Sequence, residues 1–449
     1  MKLIKKIITS ALLVTTALSL GSCGGGEKKN EESNNDKGAV YFLNSKPEVD
    51  KVWEEIAKTY TEETGVPVKV VTAASGSYDS TLKSEMTKKD APTLFQINGP
   101  MYYEKWKDYT KDLKNLEAYS HLVNKDLAIK EGDGVYGLPY VVEGYGIIYN
   151  DSLLQKYIGL PGAKIKSIDE INNFAKLKEV VEDVQAKKAD LGIEGAFAAT
   201  SLVPGEDWRW SAHLANISVF YECRDDGVAD KDVLDFRYDK EFKNIFDLYL
   251  NNSTVSPEVT TSKSVTDSMG EFALEKAMFV QNGNWAWSQI AEVSGNKIKE
   301  EDIKFLPIYT GMDGEEKQNI CIGCGGYFSV NSKANEKDQK ATEDFINWLF
   351  TSEKGKNYVT NELGFIAPFD TFSAEDLPKD PLAKEVSRYM ANTDLYIVDA
   401  NFTNFPSQNF KDYFGQALGQ YALGSMKWED VKQAFIDSWK EEKAAGKTE

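Results

Sequence analysis

The stretch Glu206-Asp207-Trp208-Arg209-Trp210 sets two indoles and a guanidinium beside two carboxylates, and Asn282-Gly283-Asn284-Trp285-Ala286-Trp287 sets two more indoles beside side-chain amides. The first run is too polar for an ordinary core strand and too aromatic for an ordinary solvated loop. Flat rings cover apolar faces, and planar polar side chains satisfy a rim of hydroxyls. A pyranose presents both surfaces, so these residue types predict a saccharide site. Carboxylates suit such a neutral ligand because they accept short charge-assisted bonds from hydroxyls. Core packing is the alternative for Trp210 and for Trp208. If Asn284 caps a helix, Trp285 and Trp287 point to nearly opposite sides. Trp285 is then expected to face the ligand and Trp287 the core.

The remaining reactive residues argue against several chemistries. With 2 histidines, His121 and His213, far apart and without helical pairing, a zinc hydrolase or a His-based triad is disfavoured. Cys321-Ile-Gly-Cys324 has redox or zinc spacing, but no second pair completes a zinc set and Gly323, Gly325 and Gly326 surround it. With Cys223 it leaves an odd set whose pairing the sequence does not decide, and a structural role is expected. Asp225-Asp226-Gly227 with Asp230 and Asp232 lacks the residue order of a calcium loop, so a solvated turn is expected. No metal and no cofactor are predicted. The balance of 71 acidic to 52 basic residues, a net charge of −19, repels phosphate backbones, and no Lys/Arg-rich run offsets it in the body of the chain. Nucleic acid is excluded as a partner.

These residues need a scaffold. A chain of 449 residues, 41% of them hydrophobic, is long enough for two or three lobes with sizeable cores. Val40-Tyr41-Phe42-Leu43 reads as a strand, and Val49, Trp53, Ile56, Ala57 and Tyr60 follow at helical spacing up to Gly65. Residues 66–71 and 92–97 read as further strands. Alternating strands and helices predict an α/β fold with a mostly parallel sheet and ligand groups at the carboxyl ends of strands. Asn44, Ser45 and Asn98 hold such positions.

At the N-terminus, Lys2, Lys5 and Lys6 precede an uncharged run over residues 7–20, too short to span a bilayer and typical of a secretory signal. It ends Leu20-Gly21-Ser22-Cys23, which resembles the bacterial lipobox. Residues 1–22 are therefore expected to be a signal peptide and Cys23 the lipidated first residue of a stably anchored protein. Residues 24–38 contain no large apolar residue and predict a flexible tether.

Four stretches then carry a family resemblance. They are Asp133-Gly134-Val135-Tyr136-Gly137-Leu138-Pro139-Tyr140 with Glu143 and Ile147-Ile148-Tyr149-Asn150; Phe272 to Met278 leading into Gln281 to Ser288; Gly325-Gly326-Tyr327-Phe328-Ser329-Val330 with a helix ending Trp348 to Glu353; and Gly364-Phe365-Ile366-Ala367-Pro368. In order and separation they resemble the extracellular solute-binding proteins of ABC importers, in particular the sugar-binding group that includes maltose-binding protein. The resemblance implies a two-lobed periplasmic-binding-protein-like fold with the ligand cleft at the interlobe hinge. Residues 39–145 plus about 325–370 would form lobe 1, and about 146–324 plus about 371–449 lobe 2. It implies ligand contacts at Asn44, Lys46, Asn98, Glu143, Glu206, Trp208, Arg209, Asn282, Trp285 and Tyr327, and a stacking aromatic among Phe402, Phe405, Phe410, Tyr413 and Phe414, for which Phe410 is taken. Where the family often has an aromatic after the third strand, Gln96-Ile97-Asn98-Gly99 stands here, which argues against maltodextrin. Tyr102, Tyr103, Trp106 and Tyr109 follow at the spacing of a buried helix face.

The resulting expectation is a binding lipoprotein, not an enzyme, on the extracellular face of the bacterial cytoplasmic membrane, facing the periplasm in a Gram-negative host. It would capture an oligosaccharide in the di- to hexasaccharide range and deliver it to ABC permease subunits with their ATPase. The alternatives are a binding protein for a peptide or charged metabolite held by Arg209, a secreted glycoside hydrolase using Glu143 with Glu206 or Asp207 beside Glu206, and a surface adhesin or sensor partner.

Overall fold

Val40–Asn44 is buried along its whole length, as befits a strand covered on both faces. In the computed structural model, which describes residues 37–446 apart from 75, 374 and 375, it opens a set of strands: β1 (Val40–Asn44), β2 (Val68–Thr72), β3 (Leu94–Ile97), β4 (Ile129–Glu131), β5 (Gly134–Pro139), β6 (Glu143–Asn150), β7 (Gly195–Phe197), β8 (Ala277–Gly283), β9 (Ile303–Leu306), β10 (Gln318–Gly323), β11 (Tyr327–Val330) and β12 (Tyr396–Asp399). The signal segment, Cys23 and the tether up to residue 36 lie outside the described residues. Among the described residues no helix is long and apolar enough to cross a membrane.

The strands form two sheets, one in order β2-β1-β3-β11-β5-β4 and one in order β12-β10-β6-β8-β7 with β9 also pairing β6. Each carries its own helices, and the α/β, two-lobed architecture is as expected. The sheets themselves are mixed rather than mostly parallel. β1 runs parallel to β2 and β3, but β11 is antiparallel to both β3 and β5. The cause is connectivity: β11 arrives from the second sheet through residues 324–326 and enters the first against its direction.

In the first lobe the helix Asp50–Thr64 turns Trp53, Ile56, Ala57 and Tyr60 inward, with Trp53 edge-on to Phe42 at 4.8 Å. The second lobe has a phenylalanine-rich core in which the helices Gln408–Ala422 and Trp428–Ala445 pack together. Between the lobes, residues 140–142 link β5 to β6, and residues 324–326 link β10 to β11. Tyr140 stacks on Phe328 at 4.2 Å, which fixes one end of the crossing in the first lobe. Beyond it, Gly144 exchanges two 3.0 Å bonds with Asn284, which fixes the other end in the second. Glu143 therefore stands where the chain passes from one lobe to the other.

Candidate functional site

Between the lobes lies a cavity of about 530 Å³. Its walls come from the loop after β1, the start of the helix Tyr78–Met86, the first residues of β6, and three second-lobe segments around Trp208, Trp285 and Phe402. Of the residues expected to touch a ligand, Lys46, Asn98, Glu143, Glu206, Trp208 and Trp285 line it together. Asn44, Arg209, Asn282, Tyr327 and Phe410 do not.

Asn44 is a correction with a clear cause. Its carboxamide is fully buried at the end of β1, donating to the Lys46 carbonyl at 2.8 Å and to Thr72 Oγ1 at 3.1 Å and accepting from the Lys46 amide at 3.0 Å. It shapes the turn that presents Lys46. The Lys46 ammonium reaches Glu143 Oε1 at 2.6 Å and Glu48 Oε1 at 3.8 Å, and lies 5.7 Å over the Trp285 ring. Burial works against its charge, but Glu143, Tyr140 and Glu48 outweigh it and hold the ammonium above the usual lysine range. Glu48 moves upward, chiefly through burial.

The Trp208 segment enters a π-helical turn, Arg209–Leu214. In such a turn residues five apart share a face, and Trp208 and His213 accordingly line the cavity together. Glu206 accepts from the Val265 amide at 2.7 Å, at the N-terminus of the helix Val265–Ala273. Trp210 belongs to the core: it is buried, donates Nε1–H to the Ser201 carbonyl at 2.9 Å and packs on Tyr249 at 4.9 Å.

Arg209, one residue past Trp208, is rotated away from the cavity and fully buried. It donates to Ser268 Oγ at 3.1 Å, and Nε and Nη2 have no partner among the described residues. Burial lowers its pKa to about 10, with Glu206 and Asp207 pulling back. The guanidinium is thus walled off from any ligand in the cavity, which corrects its assignment as a contact.

Gly283 ends β8, and a Cβ there would lie 2.2 Å from the Trp285 ring, so the glycine lets the indole fold back across the strand end. Asn284 does not cap the following helix with its side chain; it accepts from Gly144, and Trp285 stands at the N-cap position. Trp285 faces the cavity. Trp287 is half-buried and lines a side pocket of about 220 Å³, which shares Trp285, Glu143 and Glu48 with the main cavity. Asn282 points back into the second lobe, where Nδ2 donates to Met269 Sδ at 3.4 Å.

Tyr327 on β11 is buried against the core and lines a separate depression with Tyr103 and Thr403. Phe410 is 0% exposed, its ring among Phe435 at 5.1 Å, Trp439 at 5.2 Å and Phe405 at 5.6 Å. It lies on the inner face of its helix with Phe414 four residues on. The ring that reaches the cavity from this region is Phe402, whose amide is anchored on Asn216 Oδ1 at 2.6 Å.

Tyr145, His213, Lys411 and Asp79 also line the cavity and were not expected as ligand contacts. Lys411 and Asp79 face it from opposite lobes; burial lowers the pKa of the first and raises that of the second. Elsewhere, Cys223, Cys321 and Cys324 are free and buried, and burial pushes the thiols of Cys223 and Cys324 up to about 11 and about 12. The acidic turn is engaged by bases: Asp226 pairs with Lys231 and Arg237, and Asp230 with Lys443.

Asp207 supports the Trp208 turn from behind. It is buried, and a Cβ on Gly415 would lie 2.0 Å from its carboxylate. Burial, then the Asp412 charge, raises its pKa to about 7, with Arg209 pulling back. A folded pKa above the unfolded value of about 3.8 contributes stability below that value and loses it as pH rises through about 7. Asp207→Asn should therefore shift the thermal midpoint little near pH 4 and raise it progressively further above wild type up to pH 8. Melting curves of both proteins across that range check the sign.

A model of the family described as bacterial extracellular solute-binding protein matches residues 55–385. The multiple sugar-binding protein of Streptococcus mutans is 26% identical over 424 residues, spanning 89% of this chain and 90% of that one. Among solved structures, a chitin oligosaccharide binding protein superposes with a TM-score of 0.70 at 18% identity, over 91% of this chain and 100% of that one. A Bacillus licheniformis sugar transporter in complex with stachyose superposes with a TM-score of 0.65 at 17% identity, over 90% and 100%. These structures share the two-lobed fold. The chain belongs to the bacterial extracellular solute-binding protein family.

Proposed function

We propose that this protein captures an oligosaccharide in the interlobe cavity and delivers it to an ABC permease with its ATPase. The observation that carries the reading is the convergence of Trp208, Trp285 and Phe402 with Glu143, Glu206 and Asn98 on one cavity. Indoles cover the apolar faces of sugar rings, and carboxylate and amide groups meet their hydroxyls. Lys46, Asn98, Glu143, Glu206, Trp208 and Trp285 are the proposed contacts, joined by Phe402 in place of Phe410. The halves 39–145 plus about 325–370 and about 146–324 plus about 371–449 act as two bodies that close on the ligand, and the ligand stabilises the closed form because only there does it touch both. A lipid on Cys23 and the tether after it hold the protein at the outer face of the cytoplasmic membrane.

The protein binds without catalysing. Hydrolysis would need one free carboxylic acid and one free carboxylate across the glycosidic bond, whereas Glu143 is engaged by Lys46 at 2.6 Å and Glu206 by the Val265 amide at 2.7 Å. The burial of Arg209 argues against a charged ligand anchored there.

Calorimetric titration against raffinose, stachyose, maltose and chitotriose tests the reading, with chromatography of the bound sugar after prolonged incubation. Saturable binding of at least one sugar, recovered intact, is expected. Absence of binding across the panel, or release of shorter products, would overturn it.

A further inference from the structure

His213 is 8% exposed, lines the cavity, and neither ring nitrogen has a hydrogen-bond partner among the described residues. Its carbonyl accepts from the Tyr145 hydroxyl at 3.2 Å. The imidazole stacks on Tyr145 at 4.2 Å, and three further rings stand around it: Trp208 at 5.0 Å, Phe402 at 5.1 Å and Trp285 at 5.4 Å. These three are inclined to it by 73°, 62° and 56°. They stand around the imidazole and do not follow one another along a groove.

From this geometry we infer that His213 is the specificity-determining contact of the cavity, a neutral imidazole at the base of an aromatic cup that reads the hydroxyls of a single sugar unit at the end of the ligand. The inference rests on the oligosaccharide reading and names the part of the sugar that the cavity selects. A linear chain bound along its length needs platforms in succession. Rings that rise around the imidazole, each inclined to it, leave room over it for one sugar ring end-on. The ring nitrogens open onto the cavity, and a ligand that covers them without meeting them leaves a polar group buried and unpaired, which is costly, so a site of this kind rejects it.

The imidazole is suited to hydroxyls because it stays uncharged. Burial first, then the positive charges of Lys411, Arg209 and Lys46, lower its pKa to about 3. A neutral imidazole offers one donor and one acceptor, matching hydroxyl groups that both give and take a hydrogen bond. The chain has 2 histidines, and the other, His121, lies on the surface beside Asp370, so the two are separable by spectroscopy.

The test uses protein labelled with nitrogen-15 at histidine, titrated with raffinose, stachyose, maltose and chitotriose and followed by NMR alongside calorimetry. A sugar that binds is expected to move the His213 ring resonances and leave those of His121 in place, and His213 is expected to show no protonation step between pH 5 and 8. His213→Phe, which keeps a ring and removes both nitrogens, should weaken binding about 30-fold or more, and His213→Asn should recover part of the loss. A sugar that saturates the protein without shifting His213, or that binds His213→Phe as tightly as wild type, overturns this inference and leaves the oligosaccharide reading intact. If no sugar in the panel binds, both are overturned. Should His213→Phe fail to fold, the wild-type resonances decide.

Discussion

Trp285→Ala is expected to lower the affinity for the best-binding sugar of the panel by at least about 30-fold, the equivalent of about 2 kcal/mol expected when a central aromatic anchor is truncated. The indole is a wall shared by the main cavity and the side pocket, and its removal opens one into the other. It also removes the ring 5.9 Å from Trp208 and the face over which the Lys46 ammonium lies. Because the ring is half-buried rather than core, the fold should survive the change with a modest loss of thermal stability. Trp287→Ala is the matched control. That indole lines the side pocket and packs on the core without reaching the main cavity, so affinity should stay within about threefold of wild type. Calorimetry on the two variants decides, and equal losses from both would mean that the cavity is not where the sugar sits.

The spacing of the two indoles sets them on different sides, and in the structure they part only in that Trp285 reaches the main cavity while Trp287 does not; both line the side pocket. Legible in the sequence too are β1 and the helix Asp50–Thr64, which apolar spacing marks clearly, whereas Lys46 and Glu143 stood out through the family resemblance and not through spacing. What escaped was set by backbone geometry that spacing does not encode. Regular helical periodicity from Trp208 would bring residues three or four further on to its face, but the π-helical turn brings His213 there, five residues on. Arg209 looked like an anion anchor because charge is visible in a sequence and direction is not.

The C-terminal aromatics show a second limit. Phe402, Phe405, Phe410, Tyr413 and Phe414 are alike in composition, and only their packing separates them: Phe405, Phe410 and Phe414 are core, Tyr413 is exposed and Phe402 reaches the cavity. The helix Gln408–Ala422 buries Phe410 and Phe414 four residues apart, a periodicity that marks them as core. Phe402 lies before that helix, in the turn Asn401–Asn404, where no such repeat applies. The mixed sheets have the same kind of origin. Strand direction depends on which lobe the chain is returning from, and no local pattern around β11 records it.

Lobe closure offers the other large effect, through Gly99→Val. Gly99 follows β3 at φ 133° and ψ −178°, a region open essentially to glycine alone, and a Cβ there would lie 2.3 Å from the Thr403 carbonyl oxygen of the opposite lobe. The obstacle is backbone on both sides, so no rotamer change relieves it. The variant must hold the lobes apart at this point, and a ligand that binds by touching both loses affinity in proportion to the closed form it can no longer populate. A loss of about 100-fold or more is expected, with a gain in radius of gyration for the sugar-saturated protein by small-angle scattering. Backbone strain at Gly99 would lower stability as well, and Gly132→Val separates that effect. Gly132 also has a positive φ, 57°, but a Cβ there meets nothing within 4 Å. Gly132→Val should melt earlier than wild type yet bind and compact normally, whereas Gly99→Val should fail to compact at saturating sugar. If Gly99→Val binds and compacts like wild type, the contact between Gly99 and Thr403 is not part of the closed, ligand-holding state, and closure must rest on the other approach between the lobes, where Gly76 meets the Gly205 carbonyl.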